Sequence, residues 1–237
     1  MYIGNTKNYL KAFYQWRTSG LRRESCCAVA ALTVMGVYAI GAIFFETHWM
    51  FVGVIGAMLS VVTVFTTSMI YAQLKTVPRW NHWSTPVLFV SLSIFGGALM
   101  TGQVTVAMYG FVAVGLIQIF AWFISDSSFS KSGTTIETAT GLGNIGKVRM
   151  FEPPHTGTNY LLKEMVYVIG RKHAAKLRLI AIILMIVIPI LMIGMGAQHG
   201  IKAIIAVLSH VVGVFASRWL FFAQAEHVVG LYYGKRG

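Results

Sequence analysis

Charge is what this sequence has least of. Only 7 of its 237 residues are Asp or Glu, and charged residues of all kinds make up 11%, less than half of the roughly 25% usual in soluble domains. Such a chain is neither a disordered tail nor an ordinary soluble enzyme. Cysteine is nearly missing too: Cys26 and Cys27 are the only two, and they are neighbours. That excludes a secreted disulfide scaffold. It also excludes a structural zinc or iron–sulfur site, which needs about four soft ligands facing one point. The pair is read as small buried apolar residues. What the chain does have is hydrophobic residues, 56% of the total, and 19 Lys and Arg. The expected fold is all-α: a polytopic transmembrane helical bundle with one basic face.

A transmembrane helix needs about 20 mostly apolar residues. Four stretches without Asp, Glu, Lys or Arg meet this: Ser25–Phe45, Thr47–Leu74, Trp80–Ser125 and Leu179–Ile201. A fifth, Ala203–Ala225, holds one charge, Arg218. Trp80–Ser125 is too long for one crossing and breaks at Thr101-Gly102-Gln103, a tight-turn signal. The hydropathy therefore predicts about six spans, near 25–45, 50–74, 86–101, 104–124, 178–196 and 203–223. The chain divides into a basic leader (1–24), four spans (25–124), a long loop (125–177), two spans (178–223) and a basic tail (224–237). The first span follows a polar leader without an A-x-A pattern, so it is not a cleavable signal. Pro189 predicts a kink whose freed carbonyl a neighbouring helix must satisfy. Gly96-Gly97 and the small residues of 55–60 are read as close-packing positions.

Six spans put both termini on one side, together with 18 of the 19 Lys and Arg; the other side receives only Lys202. The positive-inside rule places that basic side in the cytoplasm, which gives a multi-pass protein of a bacterial inner membrane with cytoplasmic termini. A basic face also suits docking of an acidic partner. In the long loop, Ser125–Gly146 is rich in Ser, Thr and Gly, and Phe151-Glu152-Pro153-Pro154-His155 reads as an extended turn. Thr158–Lys176 reads as an amphipathic helix leading into the fifth span. This loop is too poor in core residues to fold by itself, and it is expected to cap the bundle or to form a platform for another protein.

Few residues carry candidate chemistry. Of seven His, only His210 lies well inside a span, so a second axial ligand for a b-type haem is lacking and no haem is expected. His210 is read as a hydrogen-bonded packing residue, although an ionisable group at that depth is a functional candidate by default. Gly141-Leu142-Gly143-Asn144-Ile145-Gly146 fits a dinucleotide fingerprint but lacks the required strand and helix on either side. Glu24 precedes the first span, Arg218 closes the last, and Glu226-His227 follow at its exit. A carboxylate at the membrane boundary accepts a proton and a hydrogen bond from a quinol hydroxyl, and a guanidinium nearby stabilises developing charge. Interface anchoring is the plainer alternative.

At these positions the sequence resembles the membrane anchor subunits of the dimethyl sulfoxide reductase family, which include the anchors of cytoplasmic sulfite dehydrogenases. The likeness runs through Tyr2-Ile3-Gly4-Asn5-Thr6 to Arg22-Arg23-Glu24, similar to the family's His-Leu-Gly-x-Pro segment and its downstream Glu. It continues through Ser68-Met69-Ile70-Tyr71, Thr76-Val77-Pro78-Arg79-Trp80 and Thr85-Pro86. It resumes at Glu164–Arg178 and at Arg218-Trp219-Leu220-Phe221-Phe222 up to Tyr232-Tyr233-Gly234. The resemblance implies a haem-free subunit with no catalytic or metal site of its own. It would bind exchangeable quinone or quinol and pass electrons to or from an iron–sulfur subunit. A molybdopterin subunit would carry out catalysis in anaerobic respiration or sulfite oxidation. No nucleic-acid partner is implied. The quinone-binding positions carried over are Glu24 and Tyr2, the latter standing where the family has His; Arg218 joins them as the electrostatic partner read from its place at the end of the last span. The family normally has about eight spans, so either two N-terminal helices are absent from this polypeptide or its start is shortened. The positive-inside split favours the sulfite dehydrogenase branch. A small-solute transporter and a purely structural anchor stand as rivals; no inverted repeat supports the first, and Tyr2 in place of His favours the second.

Overall fold

The computed structural model describes residues 19–149, 151–152, 173–196 and 200–233. Among these, the chain is helical and without strands: α1 (Gly20–Phe44), α2 (Met50–Ala72), α3 (Ser84–Met100), α4 (Val104–Lys131), the short α5 (Ile136–Thr140), α6 (Ala174–Gly194) and α7 (Ile201–Ala223), then a 3₁₀ turn at Val228–Tyr233. The fold is a polytopic helical bundle, as the hydropathy implied. Five helices are long and apolar enough to cross a bilayer, and α3 is shorter, at 17 residues. That is about 25 Å of helix, short of the ~30 Å hydrocarbon core. It buries seven residues against its neighbours, so protein rather than lipid covers much of its length.

The expected turn at Thr101-Gly102-Gln103 is there, and its chemistry explains it. Gly102 takes φ +77, its N–H donates to Leu99 O at 3.1 Å, and Gln103 N–H donates to Ala98 O at 2.8 Å. These are the two bonds of a Schellman motif, which glycine permits. Gly141, at φ +70, ends α5 in the same left-handed conformation. Its place in the Gly141–Gly146 pattern is thus helix termination.

Two helices reach past the expected span limits. Helix α1 already starts at Gly20, within the expected leader, with the Ser19 carbonyl accepting from Arg22 and Arg23 N–H, so Glu24 sits inside the helix. The loop does not start at 125: α4 continues to Lys131 because Ser127 and Ser128 turn their hydroxyls back onto the Ile124 carbonyl, and no Gly follows in the sequence before Gly133. Among the described residues the fifth apolar helix runs from Ala174, so it takes in the last residues of the segment expected to lead into it. The extended turn from Pro153 on and the amphipathic segment 158–172 lie outside the described residues. Cys26 and Cys27 are half-buried rather than buried, and neither forms a disulfide.

The core belongs to four helices. Leu88, Leu92 and Leu99 of α3, Ala107, Phe111 and Val114 of α4, Met185 and Ile186 of α6 and Ala206 of α7 form one apolar cluster. Small residues set the spacing: a Cβ on Gly213 would lie 2.3 Å from the Met185 backbone nitrogen, and one on Gly110 would run into the Phe95 ring. The α1–α2 hairpin packs likewise, with Met35 over Gly56, Tyr38 over Gly53 and Trp49 over Gly41. The two expected packing glycines of α3 differ: Gly96 faces the His210 ring, while Gly97 faces open space.

Candidate functional site

Pro189 has no N–H for the carbonyl four residues before it, that of Met185. Helix α6 widens here into a π-helical turn at Ile183–Val187, and His210 Nδ1 donates to Met185 O at 2.8 Å. The partner that the proline demanded is therefore the single histidine deep in a span. The His210 ring is 3% exposed and stacks on Phe111, with centroids 4.7 Å apart.

Nearer the basic end, one carboxylate gathers three chain segments. Asp126 accepts from Arg79 Nη2 at 2.7 Å and from Arg178 Nη1 and Nη2 at 2.7 and 2.6 Å. Gln224 Oε1 accepts from both arginines as well. This ties the α2–α3 connection, α4, the start of α6 and the exit of α7. Burial pulls the Arg79 guanidinium below its ordinary value, while its hydrogen bond to Asp126 and that group's charge oppose the effect. Two hydrogen bonds secure the neighbouring connection: Trp80 Nε1 donates to Phe221 O at 2.9 Å, and Val228 N–H donates to Thr76 O at 3.0 Å. Burial also lowers His82 and His227. Each accepts a backbone N–H at Nδ1, from Ser84 and Val229 respectively, which only an unprotonated nitrogen does.

Beside this clasp lies Arg218. Its guanidinium stands 4.5 Å above the Phe89 ring and 5.3 Å from that of Phe221. Its Nε and Nη1 are enclosed and have no hydrogen-bond partner among the described residues. Both ion pairs among the described residues go to Asp126. A cavity of about 30 Å³ adjoins Arg218, with Ser84, Thr85, Gln118 and Ser217 among its polar walls, room for one water-sized group. Tyr71 packs edge-on against Trp80, Phe221 and Phe222. Phe221 is also a ring that Arg218 faces, so Tyr71 and Arg218 share it. Glu24 in turn accepts a hydrogen bond from Thr67 Oγ1 at 2.8 Å, one helical turn before Tyr71. Among the described residues, no three His, Cys, Asp or Glu side chains gather into a metal-holding group.

No family model matches the chain, and no solved structure matches it. Among curated proteins it is similar to a sulfite dehydrogenase subunit of Allochromatium vinosum, 26% identical over 259 residues, which span 98% of this chain and 79% of that protein. That match supports a membrane anchor family of the same type. In this chain, two of the three residues singled out from the sequence, Glu24 and Arg218, lie on either side of one aromatic group. The third, Tyr2, lies outside the described residues. Sequence reasoning missed Thr67 and Asp126 as partners of Glu24 and of the arginines, and it missed Tyr71 as the link between Glu24 and Arg218. Tyr71 could have been found: it stands in a family-like stretch, four residues after a threonine that shares its helix face.

Proposed function

We propose that the chain is the membrane subunit of a sulfite dehydrogenase-type complex and that it binds a quinone or quinol at Arg218, Tyr71 and Glu24. The observation that carries this reading is the pair of enclosed, partnerless nitrogens on Arg218. Two buried guanidinium nitrogens without acceptors are costly, and arginine only donates, so the site suits a ligand that brings an acceptor oxygen. A quinone carbonyl is such an oxygen on a flat apolar body, and the aromatic rings around Arg218 suit that body. The cavity adjoining Arg218 has room for such an oxygen. The quinone supplies two-electron chemistry when bound. The protein's own part is to aim the guanidinium at the carbonyl position and to hold Glu24, through Thr67, as the group that takes or gives a proton.

Electrons pass to or from an iron–sulfur subunit seated on the basic end, with a molybdopterin subunit beyond it. The basic end faces the cytoplasm of a bacterial inner membrane, on the strength of 18 of 19 Lys and Arg and the positive-inside rule.

The test is made on the assembled complex. Arg218→Met removes a charge-assisted hydrogen bond, so quinone-coupled turnover and quinone-analogue binding fall roughly tenfold to a hundredfold, while turnover with a water-soluble dye is kept. Glu24→Gln leaves assembly intact and lowers quinone-coupled turnover. Unchanged quinone coupling in Arg218→Met places the site elsewhere. A complex that binds no quinone analogue at all makes the chain a structural anchor.

A further inference from the structure

Between α3 and α7 lies a second pocket that this reading does not use. It measures about 380 Å³, and Leu92, Gly96, Gly97, His210 and Phe215 are among its walls. Its volume falls within the range of small-molecule sites, about 300–1,000 Å³. Met100 and Phe215, also on its lining, are 59% and 71% exposed, so it opens to the lipid side of the bundle.

Two polar side chains, Ser93 and His210, line this otherwise apolar pocket. His210 Nδ1 is hydrogen-bonded to the Met185 carbonyl. A carbonyl only accepts, so Nδ1 carries the proton, and in the neutral ring Nε2 is left as a lone-pair acceptor. Nε2 points at Gly96: a Cβ there would lie 2.8 Å from it. Glycine at 96 thus keeps the approach to Nε2 clear. The stacking on Phe111 and the bond to Met185 hold the ring, so the acceptor is fixed in place before any ligand arrives.

We infer that this pocket is a second binding site, for the hydroxyl-bearing hydroquinone form of the carrier, which donates an O–H to His210 Nε2. The inference rests on the proposal that the carrier is a quinone. It adds an assignment by redox form. His210 Nε2 only accepts, so it takes the hydroxyl of the reduced form and has no bond to make with a quinone carbonyl; Arg218 donates, and the carbonyl of the oxidised form is the stronger acceptor for it. The two lie eight residues apart on α7, about 12 Å along its axis. The walls of the two sites also meet along α3, at Leu88 and Phe89 on one side and Leu92 and Ser93 on the other. The α3–α7 seam thereby offers the reduced carrier a place on the lipid side and the oxidised carrier a place near the basic end.

The test uses the full chain in phosphatidylcholine nanodiscs with tritiated decyl-hydroquinone, kept reduced with dithionite, and decyl-quinone in parallel. Gly97→Leu fills the pocket, because a side chain at 97 projects into open space. It weakens hydroquinone binding about tenfold or more, the loss of one hydrogen bond with its contacts, and leaves quinone binding unchanged. Retained quinone binding also shows that the variant is folded. Arg218→Met gives the reverse pattern. Hydroquinone binding that is unaltered in Gly97→Leu overturns the second site and makes the pocket a groove for a lipid acyl chain. Quinone binding that is unaltered in Arg218→Met overturns the Arg218 assignment and leaves the His210 site standing. Wild-type chain that binds neither form overturns both.

Discussion

The α1–α2 hairpin and the group of α3, α4, α6 and α7 are comparably apolar, yet they are packed very differently. Helices α1 and α2 bury two residues each, whereas α3 and α4 bury seven each. The nine residues of the main apolar cluster all come from the second group. Apolarity drives a helix into lipid, but lipid tails are as apolar as leucine, so hydrophobicity alone does not hold one helix to another. The difference lies in how many neighbours each helix has: α1 and α2 pack closely on each other through Gly41, Gly53 and Gly56, whereas α3, α4, α6 and α7 all share one apolar cluster. Gly213 lets α7 come within touching distance of the α6 backbone inside that cluster, while Gly36 on α1 faces open space. The candidate site straddles the two groups: Glu24 and Thr67 belong to the hairpin, Arg218 to the packed helices, and Tyr71 stands at the joint.

The sharpest way to test this contrast is a pair of equal substitutions. In Gly213→Ala the new methyl meets backbone atoms at 2.3 and 2.6 Å, which cannot move aside as a side chain end would. The expected cost is about 1–3 kcal/mol or more, read as a lower midpoint of thermal unfolding in detergent. Gly36→Ala meets nothing and is neutral or stabilising, by up to about 1 kcal/mol. Equal effects at the two sites would dissolve the distinction.

A smaller effect is expected at the basic end. Asp126→Asn leaves Arg79, with a side chain only 10% exposed, facing Arg178 without a shared anion. Because the Asp126 side chain is itself 47% exposed, solvent screens part of the loss. The expected cost is about 1–2 kcal/mol, and limited proteolysis near residues 73–83 is the readout. Smallest is the pH effect at His82. Burial holds its value below that of the unfolded chain, about 6.5, so the unfolded chain binds the extra proton first. Stability is complete above pH ~6.5 and declines as the pH falls through the lowered value. The melting midpoint should drop between about pH 7 and pH 5, and His82→Gln should shrink that drop. An identical drop in the variant assigns it to other groups.

How far the sequence reached depended on the range of each interaction. The spans were legible because twenty apolar residues in a row have few alternatives, and the α3–α4 turn was legible because Gly102 advertises it. Arg218 was legible as a charge inside an apolar run. The end of α4 was misread because serine is common in loops; here Ser127 and Ser128 bond back within their own turn and the helix continues. The need of the Met185 carbonyl for a partner follows from Pro189, but nothing local says that the partner is His210, 25 residues on. The same holds for Asp126, whose arginines are 47 and 52 residues away. Pairings of that reach are decided by which helices become neighbours, and hydropathy is silent on that.

The α2–α3 connection is stitched to the far side of the chain at two places, by the Trp80 indole to Phe221 and by the Val228 amide to Thr76. Like a lever pinned at both ends, it has no way to tilt without carrying the exit of α7 along. A protein pressing on the tail beyond α7 would therefore shift the rings around Tyr71 as well, so that events at the rim are felt among the aromatics without any contact there.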